Sequence, residues 1–341
     1  MSVREADHAG SWYSADGRQL ANSIDNWLAQ VPDDLGSGRS QVLPVRGARA
    51  IIAPHAGYAY SGPAAAWAYK ALDLSSGGGG SLKRIFILHP SHHHGLSTAA
   101  LPTVTAYRTP LAAEPLPLDL ETIRHLASLT TPSGSSSQQQ VRFTTMSRAV
   151  DEAEHSAEMQ LPFLHRLLQR LYPGAAPSTA YPRLSNAFVI SSDFCHWGAR
   201  FQYTYYVAGA PSPASSGGTG DKLLHKHLTP GTHLDRTPGP GYPRIYESIA
   251  HVDRACMCAI ATGEHAQFVD VLRTTGNTVC GRHPIGVFMA AVEEVKRSRT
   301  RTASAAEEKD GIFHFIRYER SSDCTSVRDS SVSYVSAYAL L

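Results

Sequence analysis

The sequence predicts an α/β fold, a central and mostly parallel sheet flanked by helices, on three observations. Residues 85–88 are a short, continuous apolar run rich in β-branched and aromatic side chains, the pattern of a strand buried on both faces. Ala50-Ile51-Ile52-Ala53 and Phe188-Val189-Ile190 are two more runs of that kind. Between the three lie segments whose apolar residues recur at helical spacing. Each run also empties into residues that carry chemistry: His55 after the first, His89, His92, His93 and His94 after the second, Asp193 and His196 after the third. Neighbouring parallel strands would bring those side chains to one sheet edge, the usual place for a site in an open α/β sheet.

Along the chain, His8-Ala9-Gly10-Ser11-Trp12-Tyr13 carries too much aromatic surface for a free tail. Leu20, Ile24, Trp27, Leu28 and Val31 mark an amphipathic helix capped by Ser14 or Asp16. Residues 32–49 are a polar loop into the first strand. Gly57 and Gly62 then permit a tight turn, and Pro63 suits the first position of an Ala-rich helix reaching about residue 72. Residues 75–81 are Gly/Ser-rich, 99–111 look extended, 118–129 helical, and 130–148 form a polar loop. Ser156 is a candidate cap for a helix carrying Met159, Phe163, Leu164, Leu167, Leu168 and Leu171. Residues 207–242, rich in Gly, Pro, Ser and Thr, read as a disordered surface insertion. Helices are expected over 245–260, 264–274 and from Pro284 onward, a charged surface loop over 296–310, and closing strands over 312–318 and 332–340.

At 341 residues, 42% hydrophobic and 18% charged, the chain can bury one large core, so a single domain over 1–341 is expected. A net charge of +2 and the lack of a basic, aromatic-interleaved stripe exclude nucleic acid as the main partner. Five irregularly spaced cysteines argue for reduced thiols, hence a cytoplasmic or nuclear setting. The N-terminal stretch has no apolar leader, and no run approaches the roughly 18–20 apolar residues of a membrane span.

A run of histidines is by itself more often a solvated loop than a ligand set; its place after a buried strand gives the metal or acid/base reading equal weight. Cys280 reads blandly as a small buried thiol. Beside Gly281, Arg282 and Pro284 it also reads as the entry to a helix, where dipole and guanidinium would favour thiolate. No His-Glu-x-x-His helix, paired Cys-x-x-Cys, serine elbow or phosphate loop is present. The surviving candidates are two or three histidines, one thiolate and one aspartate at one edge. Two imidazoles plus an anionic ligand suit non-haem iron(II); imidazole with thiolate also suits copper or zinc. Asp193 and His196 are then a candidate acid/base pair.

Eight ordered blocks carry a resemblance over nearly the whole chain. They are Arg4-Glu5-Ala6 with the His8 to Tyr13 cluster, Ile51-Ile52-Ala53-Pro54-His55-Ala56-Gly57-Tyr58, Pro90-Ser91-His92-His93, Tyr107-Arg108-Thr109-Pro110-Leu111, Glu154-His155-Ser156, Ser191-Ser192-Asp193-Phe194-Cys195-His196-Trp197-Gly198, Cys280-Gly281-Arg282-His283-Pro284-Ile285-Gly286, and Ser331-Val332-Ser333-Tyr334. The sequence resembles the Memo family, named for mediation of ErbB-driven cell motility, whose fold is similar to class III extradiol dioxygenases. The resemblance implies His55, His92 and Cys280 as ligands of one iron(II) or copper ion, with His196 and Asp193 at the acid/base position. It implies a redox-linked role in cell motility and cytoskeletal signalling. The competing expectation is a non-catalytic adaptor taking a phosphotyrosine or acidic peptide, or a signalling protein, in the same pocket, with Arg282, His93, Tyr58 and Trp12 as its contacts. A third is a dioxygenase-like enzyme acting on a phenol.

Two departures from the family pattern stand out. His89 replaces a glycine. Residues 172–187 are too few for the strand and helix that relatives carry there, so either the sheet lacks a strand or the gene model is incomplete. Loss of a strand would bare an apolar sheet edge and lower stability unless another segment covers it.

Overall fold

The computed structural model describes residues 2–36, 42–74, 82–130, 142–173, 185–211, 228–298 and 310–341. In chain order the elements are β1 (Val3–Arg4), α1 (Gly17–Gln30), β2 (Ala48–Ala53), α2 (Tyr58–Ala71), β3 (Leu82–Leu88), β4 (Ala100–Pro102), β5 (Ala106–Tyr107), β6 (Leu116–Pro117), α3 (Leu120–Ser128) and β7 (Thr144–Met146). Then come α4 (Arg148–Ala153), α5 (His155–Glu158), α6 (Leu161–Leu171), β8 (Ser185–Ser191), β9 (His196–Trp197), β10 (Tyr205–Tyr206) and β11 (Thr232–His233). The chain ends with α7 (Ile245–Ile260), α8 (His265–Thr275), α9 (Arg282–Ser298), β12 (Phe313–Arg320) and β13 (Ser331–Leu340).

The main sheet runs β12-β13-β2-β8-β3, with β9 paired to β13. The three strands that end in histidine or aspartate are neighbours and parallel, β2 to β8 and β8 to β3. Beyond β2 the pairing turns antiparallel, so the sheet is mixed rather than mostly parallel. The β12–β13 pair follows from its connection: residues 321–330 join the two strands without a helix, and strands joined that way return antiparallel. Alternation along β2 sends Ile51 to the layer built by α1, α2 and α6, and Ile52 to the layer built by α7, α8 and α9. Helices therefore cover both faces, which is why these strands read as unbroken apolar runs.

Asp16 caps α1, its carboxylate accepting from Gln19 N at 2.7 Å. The second helix begins at Tyr58, upstream of the predicted start at Pro63, which lies inside it. Its first turn is already closed, because the Gly57 carbonyl accepts from Tyr60 and Ser61 N–H and Ser61 Oγ donates to Ala56 O. Gly62 is a helix contact rather than a turn residue; a Cβ there would sit 2.7 Å from the Trp27 ring. The helix expected from Ser156 is broken. Glu154 caps α5, and α6 starts anew with Pro162 in its first turn.

Of the 207–242 stretch, 212–227 lie outside the described residues, and Thr232–His233 pairs with Tyr205–Tyr206. The helix α9 takes up 296–298 of the expected charged loop, and 299–309 lie outside the described residues. Residues 75–81, 131–141 and 174–184 also lie outside them. Among the described residues, no helix is long and apolar enough to cross a membrane.

Arg4 is fully buried and bridges distant parts of the chain. Its guanidinium pairs with Asp151 at 3.1 Å and Glu158 at 2.7 Å, and donates to the carbonyls of Glu5 at 2.8 Å and Glu154 at 2.9 Å. Glu158 also accepts from Tyr13 OH at 2.6 Å and His8 N at 2.9 Å. Burial pushes its carboxyl up, but Arg4 and these donors outweigh it and hold the pKa below the ordinary 4.5. Asp151 goes the other way, because burial wins there. Removing one member leaves the others buried and unpaired, so Arg4→Met is expected to cost about 3–5 kcal/mol in urea unfolding at neutral pH. Because a depressed carboxylate stabilises above its unfolded pKa and loses that contribution as pH falls through its folded one, Glu158→Gln should be least stable relative to the native chain at neutral pH. The gap should narrow below pH 4.5, and a gap that does not change with pH would contradict this sign.

Candidate metal centre

Parallel strands deliver the site. His55 lies just past β2, His92 just past β3 and Asp193 just past β8, while Cys280 arrives from the loop between α8 and α9. A Cβ on Gly281 would fall 2.2 Å from Ser192 Cβ and 2.7 Å from Ser191 O, so only glycine lets that loop come so close.

The hydrogen bonds fix which ring nitrogens are free. Ser191 Oγ donates to Ser156 O at 2.8 Å and accepts from Gln160 Nε2 at 2.8 Å, which leaves it to accept from His55 Nδ1 at 2.8 Å. His55 thus carries its proton on Nδ1 and turns a bare Nε2 to the site. His92 Nδ1 lies 2.8 Å from Glu154 Oε1, an acceptor, so its Nε2 is bare as well. Glu154 further accepts from His92 N at 2.6 Å and from Ser156 N and Oγ at 3.0 and 2.7 Å. Those donors, His92 first, prevail over burial and hold the Glu154 carboxyl well below the usual range.

His155 is the residue that sequence reasoning did not single out. Its ring lies between Trp12 and His92, with centroids 4.3 and 4.4 Å away. It is buried, and its Nδ1 has no hydrogen-bond partner. Burial, with the charges of His55 and His92 behind it, pushes its pKa down to about 3. The ligand nitrogens of His55, His92 and His155 all lie within 4.8 Å of one another. Bonds of about 2.1 Å to a shared ion place two nitrogens at most about 4.2 Å apart, so a small closing of the rings would suffice. Imidazoles, two of them oriented through Nδ1 and a third with an orphaned nitrogen, are the donor chemistry that a transition metal requires. This cluster can hold one metal ion.

Cys280 Sγ stands 3.1 Å from His55 Nε2 and accepts from Asp193 N at 3.2 Å. Its expected thiolate is corrected by the surroundings: burial, then the Asp193 charge, raises the thiol well above its ordinary value, against the helix dipole. Asp193 and His196 make no hydrogen bond with each other. The carboxylate accepts from His55 N at 2.9 Å, whereas His196 Nδ1 faces the carbonyls of Phe194 at 2.8 Å and Thr278 at 3.2 Å. Burial pushes the Asp193 pKa up, against the His196 charge.

The expected ligand contacts divide. Trp12 stacks on His155, and His93 stands at the rim, its ring 6.2 Å from His155. Tyr58 packs in the core, its hydroxyl donating to Met159 O at 2.7 Å. Arg282 opens α9 with an exposed side chain that has no ion pair or hydrogen bond among the described residues. His155 escaped notice because no strand precedes it; the triplet Glu154-His155-Ser156 stood as one block of the resemblance, with Ser156 as a helix cap, and His155 was given no role. His89, in place of the glycine, turns Nδ1 to Pro90 O at 2.9 Å and Ser156 Oγ at 3.0 Å.

The family model described as Memo-like protein matches residues 4–172 and 178–338, its interruption falling inside the short 172–187 segment. Protein MEMO1 of Xenopus laevis is 37% identical over 351 residues, covering 97% of this chain and 95% of its own. Protein MEMO1 of Homo sapiens is 36% identical with the same coverage. A MEMO1 family protein of Schizosaccharomyces pombe is 35% identical over 361 residues, covering 99% of both chains. With a match of this extent, this chain belongs to the Memo family.

Proposed function

We propose that this protein binds one iron(II) or copper ion through His55, His92 and Cys280, with His155 as a further donor beside them, and that it acts in redox-linked control of cell motility and the cytoskeleton. The observation that carries the metal reading is the cluster of three imidazole nitrogens within 4.8 Å, two of them presented bare by Ser191 and Glu154. The bound ion would supply redox chemistry. The chain's own residues orient its ligands, and Trp12 shields His155 on one side. Iron or copper suits a mixed set of imidazoles and a soft sulfur. The role in motility rests on family membership.

A second reading, dioxygenase-like chemistry on a phenol, draws on His196. Both acceptors near its Nδ1 are carbonyls, so the bare Nε2 is left to move a proton. Oxygen consumption with catechols tests it.

Metal content gives the first test. After anaerobic reconstitution, the native chain should hold about one equivalent by mass spectrometry, and His55→Ala and His92→Ala should hold none. No metal in the folded native chain would overturn the proposal. Glu154→Gln, which loosens the orientation of His92, should weaken affinity about 10–100-fold while the fold persists. Cobalt(II) titration then reads the third donor: a thiolate charge-transfer band in the near ultraviolet, lost in Cys280→Ser and kept in His155→Phe, supports Cys280. A folded native chain with no such band would leave His155 in its place.

A further inference from the structure

Away from the three histidines, a cavity of about 700 Å³ lies along the outer edge of β3, the last strand of the sheet among the described residues. Ile85 and Ile87 of β3, Leu164 and Leu168 of α6, and Ile123 and Leu126 of α3 form its apolar walls. Its size falls in the range of small-molecule sites. Arg84 is the only lysine or arginine among the lining residues described, and it is ion-paired with Asp119, the cap of α3. An anionic ligand would find no free cation there. The same pair bridges β3 to α3 at the start of the strand, which closes that end to an extended peptide running along the edge.

Two histidines line this apolar space. His165 is only 2% exposed, its Nδ1 lies 2.7 Å from Thr109 Oγ1, and its Nε2 has no partner among the described residues. His89 faces the carbonyl of Pro90 with Nδ1, so that nitrogen carries the proton and Nε2 is left as an acceptor. A hydroxyl group can answer either nitrogen, since it both donates and accepts. Burial lowers the pKa of His165, in keeping with a neutral ring.

We propose that this cavity binds a mostly apolar small molecule bearing one hydroxyl group, its hydrocarbon against the leucines and isoleucines and its hydroxyl donating to Nε2 of His89, with His165 in the same lining. The site is separate from the candidate metal centre, and its test uses metal-free protein, so the two proposals fail independently.

The probes are 4-hexylphenol and its methyl ether, titrated calorimetrically into the full chain. The phenol should bind at one site, and the ether, which cannot donate, about tenfold more weakly. Leu126→Trp fills the cavity from a partly exposed wall and should abolish binding without lowering the unfolding temperature. His89→Phe, or His89→Leu should the first not fold, should bring the phenol down to the affinity of the ether and leave the ether unchanged. No binding of the phenol to the native chain, equal affinity for both probes, or binding that survives Leu126→Trp would each overturn the proposal. So would failure of the phenol to bind while an apolar peptide protects the Ile85 and Ile87 amides from hydrogen exchange, which would assign the edge to strand addition.

Discussion

A single buried carboxylate organises this molecule. Glu154 accepts four hydrogen bonds, from the backbone and side chain of His92 and of Ser156, and its own carbonyl accepts from Arg4 at 2.9 Å. Burying a charge is tolerable only when its lone pairs are filled, and here they are filled by groups from two separate regions of sequence. The carboxylate ends α4, caps α5 and fixes the turn just past β3. Helix boundaries and imidazole orientation are therefore one constraint. A continuous helix through 151–171 would carry the Glu154 side chain away from His92.

Arg4 is the complement of that arrangement. Two carboxylates and the backbone of the 151–158 segment converge on one guanidinium, so the segment that carries Glu154 and His155 is tied to the start of the chain as well as to the sheet edge. This explains why the aromatic cluster of residues 8–13 is packed. Tyr13 and His8 hydrogen-bond Glu158, and Trp12 is laid on His155 as a consequence. An N-terminal strand of two residues with so little ladder of its own is held by charge pairing.

How much of this was legible in the sequence depends on whether the cause is local. Strand ends are local, since a buried apolar run that stops at Pro54 or Pro90 marks the residues beyond it as a loop at the sheet edge; His55, His92 and Asp193 were found that way. Strand direction is not. Nothing in the composition of β13 says that it runs against β2, and the sheet proved mixed. Pro63 misled because a proline within a helix and one at its start differ only in whether the turn before is already closed. For Cys280, a helix N-terminus and a neighbouring Arg282 suggested a thiolate, but burial and Asp193 act more strongly and with the opposite sign. His155 needed the tertiary structure. Its partners come from the N-terminal cluster and two strand ends, and no spacing in the chain encodes that meeting.

The two donors that flank the His55 and His92 pair differ in what holds them. His55 and His92 are each oriented by a hydrogen bond at Nδ1, so their free nitrogens are committed before any ion arrives. His155 has no such bond; its Nδ1 stands 3.7 Å from Glu154 Oε1, and its ring is packed between Trp12 and His92. Cys280 is held by its backbone, because Gly281 lets the loop lie on Ser191 and Ser192. A pair oriented by hydrogen bonds thus stands beside an imidazole with an unpartnered Nδ1 and a sulfur set by the loop. The oriented pair comes from the ends of the parallel strands and the other two from a helix turn and a loop, so the division is a product of the fold itself.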